Sequence, residues 1–534
     1  MKGTLLKLIG VASLSGALQA ADPTPNPMQP ESFSPTWESL STYQTPEWFK
    51  DAKFGIWAHW GPQCQPEQGD WYARNMYQKL NQNGQPNAQY TYHVEHYGPQ
   101  SKVGFKDVIN QWHAEKFDPE KLLALYKRAG AQYFMALANH HDNFDLWNST
   151  YQPWNSVNIG PKRDLIGDWS QAARKEGLRF GVSVHAGRTW SWFEPAQGSD
   201  PNGPLAGVPY DGKLTKADGK GLWWDGLDPQ DLYAQNHPIG AKPDAAYCEK
   251  FYKRTMDLVE KYQPDMIYFD DSVMPLSGSP GDYGLKITSE FYNKSREWHH
   301  GVNEAVVTTK QLSPLQKKCV VMDIERGKSD HIEPLPWQTD TCIGQWHYSR
   351  GIFDHHSYKK VGDVIPLLID VVSKNGNLML SIPLRSDGMP DEDELAFLQE
   401  LTTWMDVNKE GILASRPWKV FGEGPSLQQT APGSFGGQKE FAQAPYTSED
   451  IRFTTSKDGQ TLYAFVMAWP TDGKITIKSL AESTETPMKK ITELTLLGST
   501  EKLVWNRDAT GLHVALPGKP LTAYAATLKL SLAK

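Results

Sequence analysis

Six apolar runs of this 534-residue chain end in, or lead straight into, side chains that could move protons or grip a polar ligand. FGIWAHWG (54–61) carries His59, and Asp70, Trp71 and Tyr72 follow in the next turn-rich stretch. YFMALANHH (133–141) ends in His140 and His141, with Asp142 beyond. FGVSVHAG (180–187) holds His185, MIYFDD (266–271) ends in Asp270 and Asp271, and CVVMDIE (319–325) ends in Glu325. TCIGQW (341–346) closes on Trp346, followed by His347 and Tyr348. A single histidine at the end of an apolar run is ordinarily structural. Polar residues at six ends in succession point to a shared cleft.

Two chemistries could use such a set. Four histidines and an aspartate could hold a divalent metal and activate water. Against this, the first run reads Ala58-His59-Trp60 rather than His-x-His, and no HExxH pair occurs. The alternative is glycoside hydrolysis by two carboxylates, with histidines and aromatic rings gripping a sugar. Asp270 and Glu325, read here as ending consecutive strands, could face one another across the cleft. In an extended strand Asp270 and Asp271 point to opposite faces, so only one of them can enter it. A third possibility is a carbohydrate-binding protein without activity, which would need the aromatic residues but not both carboxylates.

The elements that position these residues are short strands alternating with helices. A seventh strand is expected at NLMLSIP (377–383). In AYCEKFYKRTMDLVEKY, Cys248, Phe251, Thr255 and Val259 share one helical face beside Tyr252 and Met256. PEKLLALYKRAG and DLIGDWSQAARKEG each end at a glycine, as helices often do. Strand–helix alternation of this length predicts a parallel α/β sheet. No glycine-rich phosphate fingerprint follows the first strand, so a (β/α)8 barrel of TIM type with irregular spacing is favoured over a dinucleotide fold. Beyond ILASRPW (412–418), short strands with regular turn signals, among them Asp458-Gly459, predict a β-sandwich. The domain reading is a lead-in over 21–47, a barrel over 48–412 and a sandwich over 413–534.

Bulk properties narrow the partners. A net charge of −8 argues against nucleic-acid binding. Twenty tryptophans, several in turn-rich stretches such as Trp190, Trp192, Trp223 and Trp224, suit a ligand with flat apolar faces and polar edges, as sugars have. Lys2 and Lys7, the apolar stretch 8–18 and Leu18-Gln19-Ala20 read as a signal peptide over 1–20, so a secreted or periplasmic location is expected. No later segment is apolar enough for a membrane anchor in the mature chain. Four cysteines allow three disulfide pairings or none. Nothing in the sequence fixes an oligomeric state.

The residues also carry a resemblance. WFKDAKFGIWAHWG, GDWYARNMY, NHHDNFDLWNS, PDMIYFDD, IPLLIDVVSKNGNLML and SRPW occur in the order found in the α-L-fucosidases of glycoside hydrolase family 29, which the chain resembles over nearly its whole length. The resemblance implies a catalytic barrel followed by a β-sandwich, a fucosylated oligo- or polysaccharide substrate and no required cofactor or metal. It also implies exo-acting hydrolysis with retention through a covalent fucosyl-enzyme. Asp270 matches the nucleophile, and Asp271 stands where the family often has glycine. Glu325 matches the acid/base, with Glu333 as runner-up. His59, His140, His141, Trp71 and Tyr268 match sugar-gripping positions, and Asp70, His185 and Trp346 complete the expected pocket. Asp70-Trp71-Tyr72 replaces the common Glu-Trp-Tyr, Ser183 stands where a tyrosine is frequent, and MLSIPL replaces an LLSIGP-like sequence.

Overall fold

The computed structural model describes residues 32–429, 444–482 and 488–533. The segment read as a signal peptide lies outside the described residues. Eight parallel strands close a barrel in chain order: β1 (Phe54–Ala58), β2 (Tyr133–Asn139), β3 (Arg179–Val184), β4 (Met266–Ser272), β5 (Val306–Lys310), β6 (Val321–Asp323), β7 (Trp337–Cys342) and β8 (Gly376–Ser381). Closure comes from β8 pairing with β1, Phe54 opposite Leu378.

The helices begin and end where local chemistry dictates. Asp118, Asp164 and Asp244 each accept a backbone N–H at the start of the helices Pro119–Arg128, Leu165–Lys175 and Ala245–Tyr262. These caps hold N–H groups that have no partner within the helix. Gly130 (φ +103°) and Gly177 (φ +66°) end the first two in the left-handed region. On Ala245–Tyr262 the face containing Cys248, Phe251, Thr255, Met256 and Val259 is buried against the barrel.

Two strand assignments need correction. VVTTK (306–310) forms β5, a strand the sequence reading passed over, so Asp270 and Glu325 do not end consecutive strands: β5 runs between theirs. The strand placed at 341–346 is Trp337–Cys342, and Trp346, His347 and Tyr348 lie in the loop that follows. Both errors have one cause. The barrel floor is polar here, with Gln338 and Asp340 of β7 on the inner face and Thr308 and Lys310 of β5 buried. A search for apolar runs slides past such strands.

The C-terminal part packs a five-stranded antiparallel sheet, ordered β13-β16-β11-β10-β9, with a three-stranded one, β12-β15-β14. Their strands are β9 (Arg416–Glu423), β10 (Ile451–Thr455), β11 (Thr461–Val466), β12 (Lys474–Ile477), β13 (Ile491–Leu496), β14 (Val504–Asp508), β15 (Gly511–Ala515) and β16 (Ala526–Leu532). Phe453, Leu462, Ile475, Leu512 and Leu528 fill the space between them. The two parts are tied by a buried ion pair, Arg452 Nε to Asp370 Oδ1 at 2.7 Å, with Lys374 Nζ 2.7 Å from the same carboxylate. All four cysteines are free and buried, so none of the three pairings forms.

Candidate active site

At the C-terminal ends of the barrel strands opens a cleft of about 530 Å³. It is lined by His59, Asp70, Trp71, His140, His141, His185, Tyr268, Asp270, Glu325 and Trp346, so the nucleophile, the preferred acid/base and the expected sugar-gripping residues come together there. Trp57, Lys310, Asp340, Arg188 and Arg326 line it too, and the sequence reading did not single these out.

The β4 alternation resolves the paired aspartates. Tyr268 and Asp270, two residues apart, both face the cleft, and Asp271 points away and meets Arg188 Nε at 3.4 Å. Burial pushes the Asp271 carboxyl up to about 6, with Arg188 opposing. Asp270 is held from three sides: Lys310 Nζ is 2.5 Å from its Oδ1, while His141 Nε2 and His185 Nδ1 stand 3.2 and 3.3 Å from its Oδ2. Burial alone would raise its pKa, but Lys310 and the two histidines outweigh it and keep the carboxyl well below the ordinary range.

Lys310 also reaches Glu325, with Nζ to Oε2 at 2.6 Å. One ammonium touching both acids puts their nearer oxygens no more than about 5 Å apart, the spacing of two carboxylates that act on opposite sides of one sugar carbon by double displacement. Glu333 is elsewhere. It lies in a separate cavity of about 280 Å³, accepts a hydrogen bond from Ser329 Oγ at 3.2 Å, and has Lys317 Nζ 3.6 Å away.

The histidines form a buried wall of rings in contact. His59 lies parallel to Trp57 with ring centroids 4.8 Å apart, and centroids 5.1 Å away belong to both His140 and His185. Burial, reinforced by neighbouring histidines, drives the pKa values of His59 and His140 well below the usual value; burial also lowers His185, to about 4, against the pull of Asp270. Among the described residues, both ring nitrogens of His59 are buried with no partner. A neutral imidazole offers one donor and one acceptor. Hydroxyl groups, which also do both, are its natural complement. Leaving such atoms unmade is costly, so the wall reads as a surface awaiting a polyol.

Two histidine triads, His59–His140–His347 and His140–His141–His185, are compact enough to hold a metal ion. Both depend on His140, whose Nδ1 lies 2.7 Å from Gln63 Nε2. That amide nitrogen also donates to Asp142 Oδ2 at 3.0 Å, which fixes it as the donor end. His140 Nδ1 therefore accepts, its Nε2 carries the proton, and neither triad offers three lone pairs. The residues fit a hydrogen-bonded ligand better than a metal.

Aromatic rings finish the cleft. Trp71, at φ +65° and 41 % exposed, forms a lip edge-on to Trp192. Asp70 accepts the backbone N–H of His347 at 2.7 Å, which ties the β1 loop to the β7 loop. The Tyr268 hydroxyl donates to Asp340 Oδ2 at 2.7 Å, so it offers the cleft its ring rather than its oxygen. Lys310 was the main omission, and the signal for it was a lysine closing a β-branched run one helix after β4.

The sequence model described as α-L-fucosidase matches residues 21–410, and that of the α-L-fucosidase C-terminal domain matches 443–531. Human tissue α-L-fucosidase is 26% identical over 544 residues, covering 96% of this chain and 95% of that one. The rat tissue enzyme is 25% identical and covers 96% of each. A Thermotoga maritima α-fucosidase, solved with a mechanism-based inhibitor, shares the fold with a TM-score of 0.68 and 24% identity, over 93% of this chain and 100% of that one. A Bacteroides thetaiotaomicron α-L-fucosidase solved as a trapped covalent intermediate superposes with a TM-score of 0.58 at 17% identity, over 92% of this chain and 97% of that one.

Proposed function

The chain belongs to the α-L-fucosidase family, glycoside hydrolase family 29, and from that premise we propose that it removes terminal α-L-fucose from fucosylated glycans with retention of configuration. Asp270 attacks the anomeric carbon while Glu325 protonates the leaving oxygen. Glu325 then takes a proton from the water that releases fucose from Asp270. The observation that carries this reading is the pair of carboxylates joined by Lys310, one of them kept ionised by that lysine and two histidines. A nucleophile must be charged at the moment of attack, and Asp270 is built to stay so. Glu325 has one oxygen on Lys310 and a side chain still 18 % exposed, which leaves it open to the leaving group and to water. The neutral histidine wall and the Trp57 face suit a deoxy sugar with hydroxyls on one side and a methyl group on the other. The leader at 1–20 supports an exported enzyme.

The test is hydrolysis of 4-nitrophenyl α-L-fucoside with and without EDTA, with the first-formed anomer read by NMR. Turnover that survives chelation and first yields α-fucose is expected. A β-fucose first product, or activity lost to EDTA and restored by a metal, overturns the assignment.

A further inference from the structure

Three permanent cations line the cleft, and two are engaged. Lys310 bridges Asp270 and Glu325, and Arg188 faces Asp271. Arg326 is different. Among the described residues no ion pair or hydrogen bond engages its guanidinium, and its Nε is buried without a partner. Asp70, Glu325 and Asp340 line the same cleft, yet none of them takes it.

What holds Arg326 is a ring and a turn. Its guanidinium carbon lies 5.1 Å from the centroid of Trp346, and its backbone N–H donates to the Asp340 carbonyl at 2.9 Å. The residue adopts φ +48°, a left-handed conformation that a side chain with a Cβ resists. The chain thus turns sharply straight after Glu325 and directs an arginine over a tryptophan beside the cleft. Glu325 acts on the leaving oxygen, so its neighbour flanks the leaving-group side.

Resting on the fucosidase reading, we infer that Arg326, stacked on Trp346, is a specificity element that recognises an oxyanion, a sulfate ester or a carboxylate, on the leaving-group sugar. A planar guanidinium presents paired donors that match either group with two parallel hydrogen bonds. Trp346 lies beneath the guanidinium and offers an edge on which a sugar face can rest. Hydroxyl groups would not neutralise a half-buried guanidinium whose Nε is shielded from water, whereas an anion would.

The experiment compares kcat/KM for three matched fucosyl-disaccharides, in whichever linkage the enzyme cleaves fastest. One carries a neutral leaving sugar, one its sulfate ester, and one the corresponding uronate. The wild-type enzyme should prefer at least one anionic substrate by about tenfold or more, the scale of a charge-assisted bidentate contact. Arg326→Gln should bring that ratio to about one, and Arg326→Lys should fall between, because a lysine keeps the charge but not the fork. Inorganic sulfate should inhibit the wild type competitively and lose that inhibition in Arg326→Gln. Preference for the sulfate alone, or the uronate alone, names the source of the oxyanion.

Equal rates on all three substrates, or a preference that survives Arg326→Gln, overturns the inference and leaves the fucosidase reading standing. If the variant fails to fold, the wild-type ratio and sulfate inhibition still decide. No turnover of any fucoside by the wild type would sink the activity itself, a separate result.

Discussion

The barrel mouth and the C-terminal sandwich obey opposite rules. Within the sandwich the buried core is aliphatic apart from Phe453, and its buried polar groups find partners: Thr454 Oγ1 donates to the Gly411 carbonyl and Thr527 Oγ1 to Asn408, both at 2.7 Å. Among the described residues, every buried side-chain polar atom without a partner lies between Trp57 and Glu394, and none lies in the C-terminal sheets. A region that only has to fold satisfies its polar groups within the protein, here on the helix Glu392–Ile412 beneath the sheet. The mouth leaves His59, His185, Asp340 and Arg326 atoms unmet and crowds like-charged acids around one lysine. Such an arrangement is retained at a cost in stability where a ligand completes it.

The comparison is tested hardest at Asp270. Asp270→Gly should lower kcat by about 10³-fold or more, since it removes a group that acts only in the reacting complex. Added azide should fill the space and give β-fucosyl azide. Asp271→Asn, one residue along the chain but on the other face of β4, should cost far less. An inactive Asp271→Asn beside an active Asp270→Gly would mean that the inner and outer faces of β4 had been exchanged.

Lys310 comes next. Lys310→Met leaves two carboxylates about 5 Å apart with no cation between them, and like charges that close resist joint ionisation. The sign follows directly. Lys310 lowers the Asp270 pKa, so its loss must raise it, and the acidic limb of kcat/KM should move to higher pH. A drop of about 10²-fold is expected, because the partner acids are left unpaired in a buried site. An unmoved acidic limb would show that the histidines alone keep Asp270 ionised.

How much of this was legible in the sequence depends on what surrounds each residue. His59, His140, His141, His185 and Asp270 close continuously buried apolar strands, and a polar side chain stands out at the end of such a run. Lys310 closes VVTTK, and a lone lysine ordinarily reads as solvated surface. Its burial becomes intelligible only when β4 and β6 place acids on both sides of it. Asp340 was hidden by the misplaced β7, where polar residues alternate on the inner face. Gln63 orients His140 from a 3-10 turn at Pro62–Cys64, and no local pattern announces that role. The histidines and Asp270 stood out by type, whereas Lys310, Asp340 and Gln63, which tune them, depend on contacts across the barrel.

Paired substitutions sharpen the contrast at moderate effect. His59→Phe keeps a ring against Trp57 and removes two unpartnered nitrogens. It should lower kcat/KM by about ten- to a hundredfold, the worth of one or two buried hydrogen bonds to substrate, with the thermal midpoint unchanged or raised. Phe453→Ala in the sandwich should do the reverse. A cavity in a satisfied apolar core costs about 3–5 kcal/mol in stability, read by denaturant unfolding, while kcat/KM stays within about twofold. If His59→Phe destabilises as strongly as Phe453→Ala, the histidine wall is structural.

The smallest effect should come from the polar floor. Burial, reinforced by Glu325 and resisted by Lys310, pushes Asp340 up to about 7. In the unfolded chain an aspartate titrates near 3.9, so between those values the folded protein holds a proton that the unfolded one has lost. Stability must therefore fall as pH rises through that window. Asp340→Asn removes this titration yet keeps an oxygen for the Tyr268 hydroxyl. The decline in thermal midpoint between pH 5 and pH 8 should shrink by about 2 °C in the variant, because roughly two pH units of linkage are worth about 2.7 kcal/mol and a chain of this length shifts by about 1 °C per kcal/mol. Other groups shape the absolute curve. His185, lowered to about 4, works in the opposite sense, because protonating it as pH falls below 6.5 favours the unfolded chain. The difference between wild type and variant isolates Asp340 from that background. An unchanged decline would mean that Asp340 is already ionised at pH 5, held so by Lys310, which would then have to serve a third carboxylate beyond Asp270 and Glu325.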